Sequence, residues 1–199
     1  PDNIGYIYVP SFSNSIGEGN LDECLHALAL CRGLIVDVRD NGGGNLSYAE
    51  TLAARFTNER VLTGYICHKT GPGHTDFSTP EPVYLESSDR IRWQKPVCVL
   101  TNRSSYSATN DFVKIMRTLP LVTIVGDRTG GGSGLPFSSE LPNGWSVRFS
   151  ACPSFDVDMQ HTEFGIDPDV KVDMADEDRA RGVDTIIETA RKLLAEQAK

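Results

Sequence analysis

Apolar positions along the chain follow two alternating periods. Five short runs are rich in β-branched and aromatic residues and predict strands: "IGYIYV" (Ile4–Val9), "GLIVDVR" (Gly33–Arg39), "VLTGYICHK" (Val61–Lys69), "VCVLTN" (Val97–Asn102) and "VTIVGD" (Val122–Asp127). Segments with helical spacing lie between them. In "LDECLHALAL" the apolar residues are Leu21, Cys24, Leu25, Leu28 and Ala29; "LSYAETLAARF" reads the same way, and a helix over Ala108–Leu119 ends at Pro120. "FSSELPNGWSVRFSA" predicts a β-hairpin around Asn143-Gly144, and Asp176–Gln197 a polar amphipathic helix. Gly71–Pro82 and Pro153–Pro168, rich in Pro and Gly, read as loops.

Strands joined by helix-length crossovers imply an α/β architecture with a largely parallel sheet, flanking helices and a hairpin. Sites in such folds lie at the carboxyl ends of strands, beside helix N-termini. Three glycine- or hydroxyl-rich turns fall there: Asp40–Asn45, Asn102–Ser107 and Gly126–Gly134. They are expected to converge on one site.

Composition narrows the function. The 199 residues suit one domain that buries enough surface to need neither disulfide nor metal. A net charge of −8 with no basic run argues against nucleic acid as a partner. No apolar run is long enough to span a membrane. The five cysteines form no CxxC pair, and Cys24, Cys31 and Cys98 lie in apolar segments, so they read as buried free thiols. Neither HExxH nor a Cys/His cluster appears, and the glycine clusters fit neither nucleotide fingerprint; no metal or cofactor is expected.

Two motifs carry candidate chemistry. In "DVRDNGGGN" three glycines after a strand either form a plain turn or aim backbone amides at an anion, including an oxyanion formed in acyl transfer. In "TNRSSYSATNDFVKIM" Ser107 stands where a helix begins. There it is either an N-cap or a nucleophile assisted by the helix dipole and the Ala108 amide. "GDRTGGGSG" contains no G-x-S-x-G elbow.

In order, "GLIVDVRDNGGGN", "VCVLTNRSSYSATNDFVKIM", "VTIVGDRTGGGSG" and "FGIDPDV" resemble the motif blocks of the S41 class of C-terminal processing (tail-specific) serine peptidases, over about residues 4–175. The resemblance implies a crotonase/ClpP-like core acting on a peptide or protein substrate. Ser107 takes the nucleophile position, the amides of Ala108 and of Gly43 or Gly44 form the oxyanion hole, and Gly43 is favoured of the two. Where processing peptidases carry a lysine as general base, this sequence has Gly132. It therefore looks closer to the tricorn-like branch, whose histidine base comes from an upstream helical region. On that likeness residues 1–199 are the catalytic core and C-terminal part of a longer protein, partnered by that upstream domain.

Within the chain, His74 in "GPGHTDF" is the candidate for a replacement base or positioning group, and Lys114 is too far along its helix to serve. Glu163 matches a carboxylate that would orient a histidine. The likeness also implies a periplasmic or cell-envelope location. An alternative is a non-proteolytic module of the same fold that carries a retinoid or lipid.

Overall fold

A computed structural model describes residues 3–197. Five strands, β1 (Ile4–Tyr8), β2 (Gly33–Asp37), β5 (Val97–Thr101), β6 (Val122–Gly126) and β10 (Val170–Lys171), form one sheet in the order β1-β2-β5-β6-β10 with every pair parallel. Helix α1 (Glu18–Ala27) crosses from β1 to β2, and α3 (Ala108–Arg117) from β5 to β6.

Every residue of β2 and β5 is buried, as the continuous apolar runs require. Strand alternation then divides the side chains between two cores. Leu34, Val36, Val38, Val97, Val99 and Ile124 face Leu25, Leu52, Phe112 and Met116 of α1, α2 (Leu46–Ala53) and α3. Ile35, Cys98, Leu100 and Val125 face Ile186, Ala190 and Leu194 of α5 (Thr185–Gln197).

Outside this sheet, β3 (Val61–Ile66) pairs antiparallel with β4 (Glu81–Leu85) and β9 (Ser154–Phe155). The hairpin forms as expected from β7 (Phe137–Glu140) and β8 (Ser146–Phe149).

The pattern misleads in three places. The tail is two helices, α4 (Asp176–Ala180) and α5: Gly182 adopts φ +70°, and the Asp184 carboxylate accepts from the Ile186 and Ile187 amides to start α5 afresh. Strand β4 begins inside the expected Gly71–Pro82 loop, and Pro82 is tolerated because β4 is an edge strand. The Pro153–Pro168 segment contains β9.

The five cysteines are free: Cys67, Cys98 and Cys152 are buried, Cys24 and Cys31 half-buried. Burial pushes the Cys98 thiol up to about 12, so it packs as an apolar group. Among the described residues no helix is long and apolar enough to cross a membrane, and no cluster of His, Cys, Asp or Glu is placed to hold a metal.

At the sheet edge the Tyr6 hydroxyl donates to Asp37 Oδ2 at 2.8 Å, and Arg39 pairs with both Asp37 and Asp184. Burial, then the bond to Asp37 and its charge, pushes the Tyr6 phenol up to about 12. A pKa raised by folding contributes stability that is fully present below the unfolded value, about 10, and is lost as pH rises through the folded one. Denaturant unfolding of the native protein and Tyr6→Phe is therefore expected to show a stability difference that holds at pH 8 and shrinks between about pH 10 and 12. A difference independent of pH over that window would refute this role of Tyr6.

Candidate active site

Strands β2, β5 and β6 are neighbours, so the turns at their carboxyl ends are too, and hydrogen bonds stitch them together. Tyr106 N–H donates to Asn41 O at 3.0 Å, Ser107 N–H to Gly131 O at 2.8 Å, and Gly130 N–H to Ser105 O at 2.9 Å. Asp40, at φ 62°, and Asn102 clasp each other: Asp40 N–H donates to Asn102 Oδ1, and Asn102 Nδ2 to Asp40 Oδ1. The Ser105 hydroxyl, fully buried, donates to Val38 O at 2.9 Å and accepts from Asn102 N–H.

Asn41 joins these pieces from inside. Its side chain is 0% exposed; Nδ2 donates to Val9 O at 2.9 Å, while Oδ1 accepts from Gly43 N–H at 2.9 Å and from the Thr109 hydroxyl at 2.7 Å. One amide thus binds the end of the first strand segment, the glycine loop and the first turn of α3. Asn110, equally buried, does the same on the other side. Its Nδ2 reaches Ser133 Oγ and Thr162 O, and its Oδ1 accepts from the Thr129 hydroxyl.

Ser107 occupies the N-cap position of α3, yet its side chain caps nothing. Its backbone sits at φ 58°, ψ −123°, a conformation that non-glycine residues adopt only under constraint. The hydroxyl has no hydrogen-bond partner among the described residues, so the capping role open to it in the sequence is not the one it takes.

The glycine loop lies directly against it. A Cβ on Gly43 (φ +95°) would fall 2.8 Å from Ser107 Cβ and 2.9 Å from Ala108 N, so only glycine permits this approach. Among the described residues the amides of Ala108 and Gly44 meet no acceptor, whereas the Gly43 amide is engaged by Asn41. Ser107 and Gly42–Gly44 open onto a cleft of about 550 Å³, lined also by Ser11, Ser13, Tyr106 and Gly132 and, on the hairpin side, by Arg148 and Ser150.

The other candidates are distributed unevenly. Glu163 is tied to the site through its backbone, its carbonyl accepting from Gly132 N–H at 2.9 Å, and its Oε1 accepts from the Ser150 hydroxyl at 2.8 Å. His74 lies in an exposed turn organised by Lys69 and Asp76 and does not line the cleft. Nor do His26, His68 or His161. Lys114 is buried, bound to Ser154 Oγ at 2.8 Å and paired with Asp111 at 3.1 Å.

The family model for peptidase family S41 matches residues 3–172. The chain belongs to peptidase family S41. A crystal structure of a candidate peptidase from Parabacteroides merdae ATCC 43184 is 65% identical and superposes with a TM-score of 0.94, over 97% of this chain and 61% of that one. The carboxy-terminal processing protease CtpA of Bacillus subtilis is 25% identical over 88% of this chain and 36% of its own. The tricorn protease of Thermoplasma acidophilum is 28% identical over 98% and 17%. The chain spans a quarter or less of the first curated relatives it matches, 25% and 22% of their lengths.

Within this S41 chain, position 132, where the processing-peptidase likeness places a lysine, disfavours a side chain through its positive φ and would require the Tyr106 ring to move. Gly132 has φ +78°, and a Cβ there would lie 2.1 Å from Tyr106 Cζ. The ring of Tyr106, half-exposed in the cleft, holds that space. Asn41, Asn110 and Tyr106 were not foreseen as site residues; their only sequence signal is position inside the two motifs.

Deleting the Asn41 amide would leave several buried groups unpaired, the carbonyl of Val9 and the Thr109 hydroxyl among them. Asn41→Ala is expected to cost about 2–4 kcal/mol of stability by urea unfolding. A loss under about 0.5 kcal/mol, the ordinary range for surface changes, would mean that the amide is not a structural tie.

Proposed function

We propose that this chain hydrolyses peptide bonds by acyl transfer through Ser107. The observation that carries the reading is the unpartnered Ser107 hydroxyl, held in a constrained turn between the glycine loop and the start of α3, facing an open cleft. Attack on a carbonyl places negative charge on its oxygen, and amides fixed in advance stabilise that charge without reorganising. The Ala108 amide, at the positive end of α3, is one donor. The free amide of Gly44 makes it the better second donor than Gly43, whose N–H is bound to Asn41.

A serine hydroxyl needs a base. No histidine of the chain lines the cleft, and Lys114 is bound elsewhere. The base in this proposal is a histidine from outside these 199 residues, entering beside Ser107, with Glu163 orienting it and stabilising its cation as the acid of a triad does. His74 is then left without a part at the reacting atoms. Hydroxyls and backbone amides outnumber the apolar groups of the lining, Tyr106, Pro136 and Phe149, and suit a peptide backbone better than a retinoid or lipid.

With the full protein and a quenched peptide substrate, Ser107→Ala is expected to lower kcat by at least roughly 10³-fold, and Glu163→Gln by roughly 10²-fold or more with little change in KM. Turnover that survives Ser107→Ala would end the proposal.

A further inference from the structure

Twelve residues line the Ser107 cleft, and one of them carries a formal charge: Arg148. The chain as a whole carries 27 acids against 19 Lys and Arg, yet no carboxylate lines this cleft. Among the described residues the Arg148 guanidinium forms neither an ion pair nor a hydrogen bond, although most other arginines of the chain are paired. Glu163, whose carboxylate reaches the cleft-lining Ser150, accepts from that hydroxyl.

The side chain is presented by a defined scaffold. Arg148 lies in β8 opposite Ser138, in a hairpin closed by the Asn143-Gly144 turn, where Leu141 N–H donates to Trp145 O at 2.7 Å and Asn143 Oδ1 accepts from Trp145 N–H at 3.1 Å. The rings of Phe137 and Phe149 pack against each other across the two strands, tilted by 34° with centroids 5.7 Å apart. An arginine left unpaired at the rim of a cleft offers a planar fork of donors matched to a carboxylate.

Building on the peptidase reading, we propose that Arg148 makes the cleft select peptides carrying a carboxylate close to the bond presented to Ser107. Two sources share that chemistry, an Asp or Glu side chain and a free chain terminus. The guanidinium pairs with the carboxylate, while Ser11 and Ser13 line the same space. The pair is exposed to solvent, so its effect is modest and weakens with salt.

The test is equilibrium binding to the full protein carrying Ser107→Ala, which prevents turnover. The probes are fluorescent peptides blocked at both ends that differ only in Glu, Gln or Lys near the centre, and a Gln peptide with a free carboxyl end. The Glu peptide or the free-acid peptide is expected to bind roughly 3- to 10-fold more tightly than the blocked Gln peptide. Adding Arg148→Gln abolishes that ratio, and Arg148→Glu turns the preference to Lys. Whichever acidic probe responds identifies the source of the carboxylate.

If blocked Gln peptide binds but the ratios survive Arg148→Gln, the selectivity proposal is overturned while the peptidase reading stands. If no peptide binds at all, both fall.

Discussion

A buried amide whose polar atoms must all be satisfied fixes the geometry of this site. Asn41 has no access to water, so its carbonyl and amino groups are stable only where protein partners reach them. Those partners come from three stretches distant in sequence: Val9, Gly43 and Thr109. The fold can satisfy the amide only by bringing the glycine loop against the first turn of α3. Asn110 applies the same constraint on the far side, fastening that turn to Thr129, Ser133 and the carbonyl before Glu163.

Between these two anchors sits the strain. Holding Ser107 at positive φ costs on the order of 1–3 kcal/mol and persists only where surrounding structure dictates it. Here the amides of Tyr106 and of Ser107 itself are committed, to Asn41 O and Gly131 O, so relaxing the turn would disturb both bonds. The parallel sheet supplies the rigidity beneath: β2, β5 and β6 are buried on both faces, which sets the relative heights of the three turns they launch. The cleft is consequently in place before any substrate arrives.

What the sequence revealed follows the same physics. Central strands were legible because burial on two faces demands unbroken apolar runs such as "GLIVD" and "VCVLT". The convergence of three turns was legible because a parallel sheet puts its strand ends on one side. Strand β4 was hidden because Pro82 and exposed polar residues are permitted at an edge, and the break before α5 because Asp184 caps a helix within an otherwise continuous amphipathic pattern. The roles of Asn41 and Asn110 were illegible for a different reason: side-chain hydrogen bonds spanning up to 68 residues leave no local period. The bond from the Gly43 amide to Asn41 was hidden for the same reason. The loss of lysine at Gly132 was visible, but the Tyr106 ring that occupies its space was not.

Reaction of the full protein with a serine-directed phosphonate, followed by peptide mapping, tests the central claim most directly. The account calls for one covalent adduct, on the Ser107 hydroxyl, absent from the Ser107→Ala protein. An adduct on Ser104, Ser105 or any other residue in place of Ser107, or none under conditions where the protein cleaves peptide, would contradict it.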